Sequence, residues 1–196
     1  MPRPITERRA QRIREVLARR QPDLTLVMDN IWDPHNVSAV LRSCDAFGVD
    51  EVQLHYTTSA FPDIGAKSSA SAKKWVRRRR HSDSSAMVEE LHGRGFNVLA
   101  TGFTPESRPL PDWDLVRPTA VVLGNEHDGV KEDILKLADG VLYVPMVGMV
   151  QSLNVSVAAA LVLYEAWRQR SRAGLYDQPR LSAEELERRF AEWSGK

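Results

Sequence analysis

Short apolar runs rich in β-branched residues alternate along most of this chain with segments of helical spacing. That alternation restricts the fold more than any other feature. The runs 23–31, 51–57, 96–103, 119–123 and 141–146 read as strands, with 75–80 a further candidate. Between the first two, residues 36–49 set Val37, Val40, Leu41 and Cys44 on one helical stripe and finish at Gly48, which suits a helix C-terminus. Helices are also predicted around 84–92 and over 131–139, and a long, almost wholly apolar one follows the stretch 144–154. Strands alternating with helices imply an α/β fold, a parallel sheet with helices on its faces. Outside the alternation lie a helix over 6–20, with Ala10, Ile13, Val16 and Leu17 on its apolar side, and a tail 182–193 in which Ser182 and Glu185 match a capping box.

The 196 residues carry a net charge of only +1, yet the charge is unevenly placed. Residues 1–20 hold seven arginines against Glu7 and Glu15, and 73–80 (KKWVRRRR) hold six basic residues and no acid, which leaves the remainder acidic. Two basic blocks on an acidic body suit a polyanion such as a phosphate backbone; a solvated helix face and an ordinary basic edge strand would look the same. The single cysteine, Cys44, cannot close an intramolecular disulfide. The first residues contain no apolar segment of the kind a secretory signal needs, and the longest apolar run, Val157 to Tyr164, is far short of a membrane span. A cytoplasmic protein with no membrane contact is expected.

Common α/β chemistries leave no trace. There is no G-x-G-x-x-G, no P-loop and no G-x-S-x-G elbow, and neither the five histidines nor the lone cysteine shows metal-ligand spacing. Three stretches remain, each after a predicted strand: 35-HNVSAVLR-42, 123-LGNEHDG-129 and 144-VPMVGMVQSLN-154. Ligands of open α/β sheets sit at the carboxyl ends of strands, so these loops outline one pocket. Ser152 is a candidate N-cap for the long helix, with Asn154 in its first turn. Asn154 and Ser156 then either face a ligand or merely tie down a loop.

Taken together the three stretches resemble the signature motifs of the SpoU/TrmH group of RNA 2′-O-ribose methyltransferases, within the SPOUT superfamily. Asn36 and Arg42 form the N-x5-R motif. Leu123, Gly124, Glu126 and Gly129 form the second, and Pro145 through Ser156 match the third, P-M-x-G-x-x-x-S-L-N-V-S. The match covers about 23–170, leaving 1–22 and 171–196 as helical extensions. The basic N-terminal helix and the tail 172-RAGLYDQPRL-181 look like those of the members that methylate guanosine 18 of the tRNA D-loop, whereas members acting on ribosomal RNA usually carry a further N-terminal domain. One departure is 68-SSASAKK-74, with two lysines and no glycine.

The resemblance implies a parallel sheet ending in a deep trefoil knot, a homodimer, and methyl transfer from S-adenosylmethionine to a ribose 2′-hydroxyl with no metal. It assigns catalysis to Arg42, Asn36, Glu126 and Asn154. Arg42 lies about 100° around the helix from Leu41, at the edge of the apolar stripe and free to reach RNA; it either accepts the proton with help from a phosphate or stays charged and stabilises the oxyanion. Asn36 would hold Arg42 or the ribose, or cap its helix. Glu126 and Asn154 would orient RNA or the knot loops, and Glu126 could instead bridge two subunits. The cofactor would rest on Ala100, Thr101, Gly102, Leu123, Gly124, Val144, Met146, Gly148, Met149, Ser152 and Leu153. Phosphates would meet Arg8, Arg9, Arg12, Arg19 and Arg20, with Lys73, Lys74 and 77–80. Two other readings stand beside this one: the same transfer on ribosomal RNA or a tRNA anticodon, and an RNA-binding protein that keeps the fold without catalysis.

Overall fold

The computed structural model describes residues 5–58, 61 and 72–196. Seven strands form one sheet in which every pairing is parallel: β1 (Leu24–Asp29), β2 (Glu51–His55), β3 (Arg77–His81), β4 (Asn97–Thr101), β5 (Arg108–Pro109), β6 (Thr119–Leu123) and β7 (Gly140–Tyr143). Their order across the sheet is β3-β2-β1-β6-β4-β7-β5. The late strands therefore enter between earlier ones, β6 between β1 and β4, and β7 between β4 and β5. Consequently the segments that follow β1, β6 and β7 all leave the same end of the sheet.

Burial follows the alternation of a pleated strand. Along β1, Leu26 and Met28 face a core shared with α2 (Pro34–Ala46) and α5 (Val155–Arg172). Val27 faces the opposite core, with Val98, Ala100, Ala120 and Val122, against Met87 and Leu91 of α3 (Ser84–Gly93) and Ile134 of α4 (Glu132–Leu137). Covered on both faces, β1, β2 and β6 are buried at every residue, including the polar Glu51, Gln53 and His55 of β2, whose side chains are hydrogen-bonded inside the protein. The predicted stripe Val37, Val40, Leu41 and Cys44 is fully buried, and burial pushes the Cys44 thiol far above its ordinary range, leaving it inert.

Several boundaries differ from expectation. Phe47 is the C-cap of α2, and Gly48 follows it at φ +81°, where a Cβ would lie 2.8 Å from the Arg19 carbonyl oxygen. The helix expected over 131–139 is only α4, and the short β5 had no sequence signal. The serine-rich stretch 68–74 lies outside the described residues up to Ser71. Among the described residues no helix is long and apolar enough to cross a membrane.

The terminal helices α1 (Glu7–Ala18) and α6 (Ala183–Ser194) pack on each other through Ile13, Leu17 and Trp193, with Trp75 beside them. Ser182 is the N-cap of α6 and accepts from the Glu185 N–H, while the Glu185 carboxylate turns to Arg188, so only half of the capping box forms. Buried arginines hold these pieces to the sheet. Arg20, expected on the RNA-facing surface, is instead fully buried: it donates to the Val49 carbonyl at 2.8 Å and to Asp45 at 2.5 Å. It is a tether, because an enclosed guanidinium finds its partners inside the protein, here through both terminal nitrogens, while Nε has none among the described residues. Arg189 of α6 donates to the fully buried Asp50 at 2.6 Å. At the end of α5, Arg170 donates to Asp23 at 2.7 Å, to Gln21, and to the carbonyls of Asp23, Leu115 and Arg117. Arg170→Ala should lower unfolding stability by about 3–5 kcal/mol, the cost of leaving a buried ion pair half made. Arg170→Lys should recover little, lacking the fork; denaturant midpoints of the three proteins check both.

Candidate active site

Three loops meet at the carboxyl end of β1, β6 and β7. Each is positioned by a local device. Asp33 caps α2, accepting from the His35 N–H at 2.8 Å, and Pro34 opens the helix. Asn36 is thereby in the first turn, not at the cap. The second loop is pinched: Asn125 and Gly129 exchange backbone hydrogen bonds at 3.2 Å, and the Asn125 side chain accepts from the N–H groups of His127 and Asp128. Gly129 takes φ +68°, and a Cβ on Gly124 would lie 2.0 Å from the Gly129 carbonyl carbon, so only glycine fits there.

The third loop ends on α5. Its N-cap is Asn154, not Ser152: Asn154 Oδ1 accepts from the Ser156 N–H at 2.9 Å and the Ser156 hydroxyl at 2.6 Å. Asn154 can cap because its carbonyl oxygen reaches the exposed N–H, and its amide nitrogen remains free to donate elsewhere. It donates to Asn36 Oδ1 at 3.1 Å. Asn36 Nδ2 in turn donates to Glu126 Oε1 at 2.7 Å, and Glu126 Oε2 accepts from the Trp32 N–H at 3.4 Å. One hydrogen-bonded chain thus runs from the mouth of α5 through α2 to the pinched loop. The two polar side chains at the start of an apolar helix are its first links.

Behind this chain lies a cavity of about 480 Å³, within the range of small-molecule sites. Of the residues expected to line it, Thr101, Gly102, Leu123, Gly124, Val144, Met146, Ser152 and Leu153 do. Three do not. Ala100 sits inside β4 with its side chain in the α3/α4 core, and Gly148 and Met149 lie outside on an exposed turn. Residues missed by the sequence reading include Phe103, Asn125, Leu142, Tyr143 and Gln151, with Val155, Ala158 and Val162 of α5; the Phe103 and Tyr143 rings are paired at 5.1 Å. Strand alternation could have suggested Leu142 but not the loop aromatics. None of the N–H groups from Met146 to Leu153 finds a backbone acceptor among the described residues, and of these residues Met146, Gln151, Ser152 and Leu153 line the cavity.

Arg42 is not brought to this cavity. It lies six residues beyond Asn36, which on a helix is about 9 Å along the axis and 240° around it. Its side chain is exposed, with no hydrogen bond or ion pair among the described residues. The basic blocks are sorted as well. Arg12 pairs with Glu15, Arg77 with Asp50, and Arg79 with Glu51 and Glu90. Arg8, Arg9, Arg19, Lys74 and Arg78 are exposed, Lys73 is half-buried, and Arg80 lies over the Phe61 ring at 4.8 Å. Among the described residues no group of three His, Cys, Asp or Glu could hold a metal ion.

Comparison with known proteins agrees with this geometry. Residues 23–164 match the model of the SpoU rRNA methylase family. The chain is 49% identical over 191 residues to the tRNA (guanosine(18)-2′-O)-methyltransferase of Thermus thermophilus, covering 97% of this chain and 98% of that protein. It is 45% identical over 168 residues to the Escherichia coli K12 protein of the same name, covering 86% and 73%. The crystal structure of the Aquifex aeolicus TrmH/SpoU tRNA modifying enzyme superposes with a TM-score of 0.90 at 39% identity, over 96% of this chain and 95% of that one. Gly124→Ala should destabilise the protein by at least about 1–3 kcal/mol, the ordinary cost of overpacking. Hydrogen exchange across 124–130 should accelerate with it; an unchanged loop would contradict the close backbone approach.

Proposed function

The chain belongs to the SpoU rRNA methylase family, and from that premise we propose that it transfers a methyl group from S-adenosylmethionine to the ribose 2′-hydroxyl of guanosine 18 in the tRNA D-loop. The observation that carries this reading is the chain Asn154–Asn36–Glu126 set across a glycine-walled cavity, with all its members drawn from the three shared motifs.

S-adenosylmethionine fits the lining: N–H groups of Met146, Gln151, Ser152 and Leu153 that have no backbone acceptor among the described residues, walls without side chains at Gly102 and Gly124, and apolar surface from Leu142, Leu153 and Val162. When bound, it supplies an electrophilic methyl group for direct displacement. The protein's share is first positional. Holding nucleophile and donor in line supplies roughly 7–11 kcal/mol of the barrier. Asn36, locked between Asn154 and Glu126, offers fixed hydrogen-bonding groups to the ribose. For Arg42 we favour a charged role. A guanidinium stays protonated, so it would lower the energy of the negative charge developing on the 2′-oxygen, with the hydroxyl proton passing to solvent water. The exposed cations Arg8, Arg9, Arg19, Lys74 and Arg78 would meet tRNA phosphates; Arg20, buried, is not among them.

We further propose a homodimer. On α5, Val157, Leu161, Tyr164 and Trp167 are exposed at helical spacing, a stripe of the kind that oligomers cover. A single chain leaves Arg42 outside its own cavity, which suits a site completed by a second copy. The family also implies the trefoil knot; insertion of β6 and β7 between earlier strands is the topology such threading would need. A tRNA substrate supports a cytoplasmic location.

Methyl transfer from labelled S-adenosylmethionine to an unmodified tRNA transcript tests the function. Label on that transcript, and none on one with 2′-deoxyguanosine at position 18, is the expected result; equal label moves the target elsewhere, and no label on either refutes the activity. Leu161→Glu should convert the dimer to a monomer in sedimentation, whereas an unchanged mass would refute the proposed interface.

A further inference from the structure

One large aromatic side chain at the site is used by nothing described so far. Trp32 lies between β1 and α2, and hydrogen bonds hold the main chain at it and on either side of it. Ile31 before it is fully buried and its carbonyl accepts from the Tyr56 hydroxyl at 2.9 Å; its own N–H donates to Glu126; Asp33 after it caps α2. The indole nevertheless remains 59% exposed. Its ring partner is His127, edge-on at 5.4 Å and 67°. An apolar ring held open to solvent, on a residue whose own N–H bonds to Glu126 of the polar chain, is a prepared stacking surface, because aromatic faces take unstacked bases without requiring sequence-specific hydrogen bonds.

The surroundings say which part of an RNA belongs there. Three exposed carboxylates belong to its immediate neighbours: Asp33 follows it in the chain, Glu126 accepts from its N–H, and Asp128 adjoins its ring partner His127, so this corner disfavours phosphate. Carboxylates are acceptors only, and they complement the N1–H and N2–H donors on the Watson–Crick edge of guanine. The apolar stripe suited to a second copy lies elsewhere, on α5 from Val157 to Trp167. We infer that Trp32, edged by His127, is the platform on which the base of the target guanosine stacks while its ribose meets Asn36; the inference rests on the RNA methyl-transfer reading.

The test compares the wild-type enzyme with Trp32→Ala and Trp32→Phe on two RNAs: an intact tRNA transcript, and one whose target nucleotide keeps its ribose and 2′-hydroxyl but lacks the base. Affinity for both and methyl transfer to the intact RNA are measured. The main-chain N–H that Glu126 uses survives both substitutions. Trp32→Ala should weaken binding of the intact tRNA by about 5- to 150-fold. It should change binding of the abasic RNA little, and leave S-adenosylmethionine affinity, melting temperature and oligomeric state unaltered. Trp32→Phe should keep most of the affinity. Equal penalties on both RNAs, no penalty on either, or loss of the dimer would overturn the platform. Failure of the wild-type enzyme to methylate any intact tRNA would instead remove the reading beneath it, and the platform with it.

Discussion

The hydrogen bond from Asn36 to Glu126 joins residues 90 positions apart, and a second from Asn154 to Asn36 spans 118. Neither contact is strong alone. A hydrogen bond to a charged group contributes about 1.5–3 kcal/mol net, and less where water competes. Their effect is geometric: three loops that would otherwise move independently share one network, and each amide is oriented by the next. The cap of α5, the first turn of α2 and the pinched Gly124–Gly129 loop thereby form a single rigid rim. The cavity behind depends on it, because its walls are those same loops.

Sheet order is what allows this network. With β6 beside β1, and β7 one strand beyond β4, the segments leaving their carboxyl ends emerge close together. Local devices finish the placement: Pro34 and Asp33 fix where α2 begins, and the absent Cβ of Gly124 lets the next turn fold back upon it. Apolar and polar roles are divided along single elements. In α5 the residues Ala159, Val162, Leu163 and Ala166 bury against the sheet, Asn154 works at the mouth, and Arg170 locks the far end to Asp23.

Arginine illustrates how far composition can mislead. In the first twenty residues Arg8 and Arg20 belong to one basic block, yet one is open to solvent and the other is enclosed against Asp45 and Val49. Within KKWVRRRR, Arg77 and Arg79 are engaged with carboxylates while Arg78 is exposed and has no partner among the described residues. Strand alternation accounts for the second division, since neighbours on an edge strand point to opposite faces. The first division needed the partner residues, which lie far along the chain.

The sequence by itself determined the parallel α/β class, the buried stripe of α2 and the identity of Asn36, Glu126 and Asn154 as a set, because hydrophobic period and motif spacing are local properties. It put the cap of α5 on Ser152, two residues before the Asn154 that holds it, and expected lining from Ala100, which the sheet buries in its other core, and from Gly148 and Met149, which stand exposed. It was silent on Trp32, Phe103 and Tyr143, whose importance lies in what stands beside them. Only the tertiary structure decided that Arg42 stays outside its own cavity, that Arg20 is a buried tether, and that Asn154, Asn36 and Glu126 touch. The reason is physical: burial and long-range hydrogen bonds depend on strand order, and strand order is set by the global packing of the sheet rather than by any short stretch of chain.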